Sequence, residues 1–315
     1  MTTPAPPRTS RRRTAVTVGV IVVVAALVYG VVVALYAIGS RVTTPTEPDV
    51  AQGSVVVRLS ADSVNASGNR ITVSLLPTAG PGYVDDSGII SDKSFSLLVS
   101  GTDGSRAIDY PAEQLISSTE VHLVTDGHIE QWPFDTYTAT SLIVAAADTN
   151  GNGVAEALPT AVVAEGRVPG WNIRATTFDA GDPVQVDGET VTPRGIVLTA
   201  SRSASTVAFG IVLLSLMVVI PVLVLLVATA AFRGRRKVEA TLTSWIGAML
   251  FATLPLRNFL PGAPPIGSWI DYLIVLWVMV GLVAGLALFV TAWLRRAPLG
   301  DPPTSQRSAA PDRRP

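Results

Sequence analysis

The sequence predicts a membrane protein of mixed class: four transmembrane helices, with one extracytoplasmic antiparallel β-sandwich between the first and the second helix. Of its 315 residues, 48% are hydrophobic and only 15% are charged, whereas soluble domains carry about 25% charged residues. Four uncharged stretches have the length that a bilayer requires. A long polar segment rich in Val, Ile and Thr separates the first two stretches. These three observations define the class.

Charge is strongly segregated along the chain. Residues 40–204 hold 20 acidic and 9 basic residues, a net charge of −11. This segment would repel phosphate, which excludes a nucleic-acid partner. Residues 1–13, 233–239 and 295–315 together hold 13 basic and 3 acidic residues, a net charge of +10. The sequence has no cysteine, which excludes disulfides, thiolate nucleophiles and zinc–cysteine sites.

The four uncharged stretches are predicted to be helices, because lipid offers the backbone no hydrogen-bond partner. They are residues 14–38, 203–232, 240–256 and 272–294. Four crossings would bring all the flanking basic clusters to one side, with both termini in the cytoplasm and residues 40–204 outside. The first stretch is longer than the apolar part of a signal peptide, so we expect an uncleaved anchor in the plasma membrane.

The other segments follow from these spans. We predict a basic cytoplasmic tail (1–13), a linker (39–50), the sandwich (51–202), a basic cytoplasmic loop (233–239), an outer Pro/Gly loop (257–271) and a disordered cytoplasmic tail (295–315).

The predicted sandwich consists of short runs rich in Val, Ile and Thr, separated by Gly, Asp, Asn and Pro. This pattern, with no long amphipathic helix, is typical of an antiparallel sandwich. The last run leads almost directly into the second span, with only Arg202 at the border, so we expect a stiff junction. The runs predicted to be strands are 54–60, 70–76, 94–100, 120–125, 138–146, 161–167, 171–177 and 195–201.

Two loops are candidates for contact between the sandwich and the membrane. The first loop is Trp132–Tyr137, in which a proline and aromatic residues lie beside one carboxylate, Asp135. It is either a turn whose aromatics fill the end of the sandwich or a docking loop. The second is the outer loop, which its prolines and glycines make stiff and non-helical. It is either a tight reversal or the partner of the first loop.

A charge at such a boundary loses hydration, so we expect Asp135 to pair with Arg202 or Arg257. Asp271 also suits the start of the fourth span, where the helix dipole favours negative charge. The residues assigned to this predicted domain–membrane coupling site are Trp132, Pro133, Phe134, Asp135, Arg202, Arg257, Pro264, Pro265, Gly267 and Asp271.

Short motifs in these loops resemble those of pentameric ligand-gated ion channels. The matching positions are Pro133–Asp135, Arg202, Pro221 and Pro265–Gly267, in the same order of elements over residues 130–294. The resemblance implies that these loops meet and couple ligand binding to a pore. The chain departs from that family in having a span before the sandwich and three spans after it instead of four.

As a whole, the sequence more closely resembles an uncharacterised family of actinobacterial and fungal multi-pass membrane proteins, a domain of unknown function. That family shares the plan of one span, a sandwich and three spans, together with the proline-rich outer loop. The resemblance implies no particular activity.

One loop has part of a calcium-binding pattern. Asp148, Asn150, Asn152 and Glu156 supply oxygens at suitable spacing, but Pro159 occupies the position of the bidentate glutamate. The sequence favours a hairpin turn, and calcium remains the alternative. No other cofactor is expected.

Small residues recur at helical spacing in two spans. Ala26, Gly30 and Ala34 share one face of the first span, and Gly281 and Gly285 form a GxxxG pattern in the fourth. Such faces allow helix backbones to approach closely in lipid, although the pattern also arises by chance in Ala- and Gly-rich helices.

The sequence contains no recognisable catalytic motif. His122 and His128 are its only histidines and lack metal-ligand spacing, and there is neither a nucleophile elbow nor a phosphate-binding loop. We therefore expect a non-enzymatic protein that mediates envelope interaction or sensing. The alternative is an oligomeric, channel-like protein. The expected partners are the lipid bilayer and either a second copy of the chain or an envelope protein.

Overall fold

The computed structural model describes residues 51–85, 88–102, 104–148, 155–181, 184–186, 189–191, 194–235 and 240–296, and most of the first predicted span between Val16 and Leu35. The described residues divide into two compact units. The sandwich unit comprises Met1–Val212 and Leu260–Trp269, and the helical unit comprises Leu213–Phe259 and Ile270–Pro315. The predicted tail 1–13, the linker 39–50, most of the loop 233–239 and the tail after residue 296 lie outside the described residues.

The sandwich unit contains the strands, and each of the eight predicted runs overlaps one of them. The five strands that were not predicted are short or, like β4, hold few branched residues. Within the described residues the strands are β1 (Val55–Asn65), β2 (Arg70–Ala79), β3 (Phe95–Thr102), β4 (Gly104–Tyr110), β5 (Thr119–Val124), β6 (Asp126–Gly127), β7 (Thr136–Ala147), β8 (Glu156–Leu158), β9 (Thr160–Glu165), β10 (Trp171–Asp179), β11 (Val184–Val186), β12 (Glu189–Val191) and β13 (Arg194–Arg202).

The strands form two sheets around one core. The first sheet has the order β5-β2-β1-β9, and the second has the order β10-β13-β7-β3-β4, with β6 and β8 also paired to β7. β11 and β12 form a separate two-stranded sheet. Alternate side chains of both sheets fill the core. On β2, for example, Ile71, Val73 and Leu75 are fully buried.

One strand pair corrects the prediction of a purely antiparallel sandwich. β1 and β9 are parallel, with Val55 opposite Thr160 and Ser60 opposite Glu165. Only Pro159 separates β8 from β9, so the chain passes from one sheet to the other without reversing its direction. The backbone N–H of Val55 donates to the carbonyl of Pro159 at 2.9 Å, which fixes this crossing beside β1.

The helices are α1 (Val22–Leu35), α2 (Ala204–Phe232), α3 (Ala240–Asn258) and α4 (Leu276–Arg296), and a π-helical turn (Asp271–Val275) precedes α4. Among the described residues, two helices are long and apolar enough to cross a membrane. They are α2, whose most apolar 18-residue window has a mean hydropathy of 3.2, and the segment Asp271–Arg295, whose window has 2.8. α1 is shorter, and α3 does not fall in this class. The structure thus provides two such helices where the sequence predicted four spans.

The small residues of the two predicted packing faces have different surroundings. Gly281 and Gly285 of α4 face α2, and a Cβ on Gly285 would lie only 2.6 Å from Cγ1 of Val224. On α1, by contrast, Ala26, Gly30 and Ala34 are exposed, and a Cβ on Gly30 would meet no described atom within 4 Å.

This difference gives a test with a matched control. Replacing glycine by alanine inside a helix stabilises the helix by about 1 kcal/mol. Gly285→Ala, however, must also displace Val224, and overpacking costs about 1–3 kcal/mol. Gly247 of α3 has open space around it. Thermal unfolding of the full chain in detergent should show a lower melting temperature for Gly285→Ala and an equal or higher one for Gly247→Ala. Equal shifts in the two variants would contradict the packing of α4 on α2.

Candidate functional site at one end of the larger sheet

The candidate site lies where three neighbouring strands of the larger sheet begin or end. Trp171 opens β10 and pairs with Arg202, the last residue of β13. On the other side of β13, Ser201 pairs with Thr136, the first residue of β7. Asp135 directly precedes β7. The register of three strands therefore brings together residues that are far apart in sequence.

Asp135 and Arg202 form a buried, multiply hydrogen-bonded ion pair. Nε of Arg202 donates to Oδ1 of Asp135 at 3.0 Å and to Oδ2 at 3.1 Å, and Nη2 donates to Oδ2 at 2.9 Å. The side chain of Asp135 is 0% exposed and that of Arg202 is 3% exposed. Charge-assisted, bidentate hydrogen bonds of this kind are stronger than hydrogen bonds between neutral groups. The expected pairing of Asp135 with an arginine is thus present, and Arg202 is that arginine.

Two aromatic side chains complete the surroundings of the pair. The hydroxyl of Tyr137 donates to Oδ2 of Asp135 at 3.0 Å. Burial raises the pKa of Tyr137 well above its usual range, and the adjacent negative charge of Asp135 acts in the same direction. Cζ of Arg202 lies 4.3 Å from the ring centroid of Trp171, a cation–π contact. The ring of Trp171 in turn packs edge-to-face on Tyr137 at 5.6 Å.

The segment Leu260–Trp269 belongs to the same unit and contacts the pair. The carbonyl of Pro261 accepts hydrogen bonds from Nη1 of Arg202 at 3.3 Å and from Nε1 of Trp132 at 2.8 Å. Nε1 of Trp269 donates back to the carbonyl of Trp132. Gly262 has a φ of +75°, and a Cβ there would collide with the guanidinium of Arg202. Glycine is therefore required both by the backbone and by the close approach.

The aromatic loop is anchored by its first residue. Trp132 is fully buried, and its ring lies against the start of α2, where a Cβ on Gly210 would be 2.7 Å from Cη2 of the indole. Pro133 is also buried. Phe134 differs from both because its side chain is 64% exposed. The loop thus fills the end of the sandwich with one aromatic ring and presents the other to the surroundings.

Arg257 and Asp271 form a second ion pair within the helical unit. Nε of Arg257 donates to Oδ1 of Asp271 at 3.0 Å, and Nη2 donates to Oδ2 at 2.8 Å. Arg257 lies in the last turn of α3 and Asp271 opens the π-helical turn, so this pair links the two ends of the connection between the helices. Of the remaining residues assigned to the coupling site, Pro264 is buried, whereas Pro265 and Gly267 are exposed.

The loop considered for calcium connects two paired strands. Ala147 at the end of β7 pairs with Glu156 at the start of β8, and the two strands are antiparallel. Asp148 directly follows β7, while Asn150 and Asn152 lie outside the described residues. Among the residues that the structure describes, no three His, Asp or Glu side chains cluster closely enough to hold a metal ion.

Sequence reasoning missed several members of the site. Tyr137, Trp171, Pro261 and Gly262 are as central to the contacts of the pair as the residues that were assigned. Tyr137 follows Asp135 at the two-residue period of a strand, which is a local signal that could have identified it. Trp171 and Pro261 join through strand register and tertiary contact, for which the sequence carries no local signal.

Comparison with known proteins divides the chain near Arg202. Residues 45–192 match the family model of a domain of unknown function, DUF4436. Residues 202–296 match that of a second domain of unknown function, DUF8686. No curated protein matches the chain. The first match covers most of the sandwich and the second covers α2 to α4, which is consistent with an uncharacterised family.

The burial of the pair predicts a large effect of removing one partner. Asp135→Ala leaves the guanidinium of Arg202 buried without a counter-charge, which costs about 3–5 kcal/mol in comparable pairs. Asp126 is exposed on the neighbouring short strand β6, and Asp126→Ala should change the unfolding free energy by less than about 0.5 kcal/mol. Urea unfolding of the full chain, followed by near-ultraviolet circular dichroism, measures both values. Similar small losses in the two variants would show that the pair contributes little.

Proposed function

We propose that the chain is a non-enzymatic, multi-pass protein of the plasma membrane whose extracytoplasmic sandwich binds a partner or senses a signal in the cell envelope. The observation that carries this proposal is the contact of the Asp135–Arg202 pair with Pro261. It joins the loop before β7, the end of β13 and the segment between α3 and α4. We infer that a signal received by the sandwich would pass along this segment, which is covalently continuous with α3 and α4.

Membrane insertion is supported by the exposure of the apolar helices. In the most apolar 18-residue window of α2, only 28% is buried. In the corresponding window of the segment Asp271–Arg295, only 22% is buried. Large apolar side chains such as Leu223 and Trp277 are more than half exposed. Contiguous apolar surface of this extent is costly in water and favourable in lipid. The proposal adds residues 14–38 and 240–256 as further spans, with both termini in the cytoplasm.

The Asp135–Arg202 pair is suited to transmit movement because separating its two charges costs much free energy. Separating two charges inside a protein leaves both without water, so the strand ends and the Pro261 carbonyl are expected to move together. The segment Leu260–Trp269 is covalently continuous with α3 and α4. A displacement of β7 or β13 would therefore pull on both helices.

The same geometry supports a structural role for Asp135 over a catalytic one. Both of its carboxylate oxygens already accept hydrogen bonds, from Arg202 and Tyr137, and its side chain has no exposed surface. A general base or nucleophile needs access to a substrate. The carboxylate of Asp135 has no such access, because it is fully buried.

The topology can be tested directly. Reporter fusions after Arg41, Lys237, Gly262 and Arg296 should report outside, inside, outside and inside, because the basic clusters are retained in the cytoplasm. An enzyme active only in the periplasmic or external space and one active only in the cytoplasm serve as paired reporters. An inside result after Gly262 would show that α3 does not cross, and would place the segment Leu260–Trp269 on the wrong side for contact with an external sandwich.

A channel-like oligomer is the second candidate. It is favoured by the contact of the Pro133–Asp135 loop with Arg202, since both positions carry the resemblance to pentameric ligand-gated channels. Mass photometry of the purified chain, after subtraction of the detergent micelle, separates the candidates. A ring of five 32.9 kDa chains would support the channel, whereas a monomer or dimer would exclude it and leave the sensor.

A further inference from the structure

A separate cavity lies beside the ion pair, at the turn that connects β9 to β10. Its volume is about 370 Å³, within the range of pockets that hold small ligands. The lining residues that offer polar or aromatic groups are Arg167, Gly170, Trp171, Ser203 and Ser205. All of them belong to the sandwich unit.

The lining has the chemistry of an anion site. It offers one guanidinium and two hydroxyl groups and includes no carboxylate, although residues 40–204 as a whole carry a net charge of −11. The hydroxyls of Ser203 and Ser205 are hydrogen-bonded to each other at 3.0 Å, and Oγ of Ser203 also lies 2.9 Å from Oγ1 of Thr206. Arginine beside hydroxyl donors matches the tetrahedral oxygens of a phosphate group.

The position of the cavity indicates where such a phosphate would come from. Ser203 directly precedes α2, and its hydroxyl accepts a hydrogen bond from the backbone N–H of Thr206 at 3.3 Å. Apolar side chains follow at once along α2: Phe209 is 49% exposed and Val212 is 36% exposed. The cavity therefore lies where polar chain gives way to an exposed apolar helix, as a phospholipid does between its headgroup and its acyl chains.

We propose that this cavity binds the phosphate group of an anionic phospholipid. Arg167 pairs with the phosphate, Ser205 turns its hydroxyl from Ser203 to donate a hydrogen bond to it, and the acyl chains follow the exposed apolar side chains of α2. The lipid assignment depends on the proposed membrane crossing of α2, while the anion site itself depends only on the cavity and its lining.

The test uses the full chain in a mild detergent and counts bound lipids by native mass spectrometry. Phosphatidylglycerol should bind at low micromolar concentration, and diacylglycerol with the same acyl chains, which lacks the phosphate, should not. Arg167→Gln should weaken phosphatidylglycerol binding about tenfold or more, the usual effect of losing a charge-assisted hydrogen bond. Ser205→Ala should weaken it severalfold.

Arg174→Gln is the matched control, because Arg174 is an exposed arginine on β10 outside the cavity lining. It should leave binding unchanged. Melting temperatures without lipid identify any variant that fails to fold, and the Ser205→Ala arm then carries the test. Equal losses for Arg167→Gln and Arg174→Gln would overturn the site.

Inorganic phosphate distinguishes the two sources of the anion. If it protects the chain against thermal unfolding as well as phosphatidylglycerol does, the cavity is a free-phosphate site and the lipid assignment is overturned. The reporter fusions test the membrane crossing independently. A crossing α2 with no Arg167-dependent binding would refute the lipid site and leave the topology intact.

Discussion

The assembly of the sandwich unit at one end depends on the buried pair of Asp135 and Arg202. Removing a carboxylate or a guanidinium from water costs several kcal/mol, and a single ion–ion contact seldom compensates for that cost. In this protein, further hydrogen bonds and an aromatic contact stabilise the two buried charges. Asp135 accepts from Arg202 and Tyr137, and Arg202 also donates to Pro261 and lies over Trp171. The aromatic residues and the proline are therefore arranged around the two charges.

Close approach to the pair restricts the surrounding backbone. Gly262 leaves room for the guanidinium, and Gly210 leaves room for the ring of Trp132. A side chain at either glycine would push apart groups whose hydrogen bonds compensate for burial of the charges. In the outer loop, the carbonyl of Pro261 approaches two donors at once, and Gly262 next to it leaves room for one of them.

Composition and periodicity were sufficient to locate eight strands and the boundaries of α2, because those features are local. The parallel pairing of β1 with β9 was not predictable, since it depends on the chain crossing between sheets at Pro159. Charge arguments narrowed the partner of Asp135 to Arg202 or Arg257 but could not choose between them. The choice follows from tertiary structure: strand register places Arg202 beside Asp135, and Arg257 is engaged by Asp271. Trp171 was missed for the same reason.

The pair also explains why the last strand and the first long apolar helix meet where they do. Side chains alternate along a strand, so a slip of β13 by one residue would turn Arg202 to the opposite face. Asp135 would then be buried with Tyr137 alone, without a counter-charge, which is among the most costly changes available to a fold. The pair therefore fixes the register of β13. Because Ser203 follows directly and caps α2, the residue at which α2 begins is fixed by the same two charges.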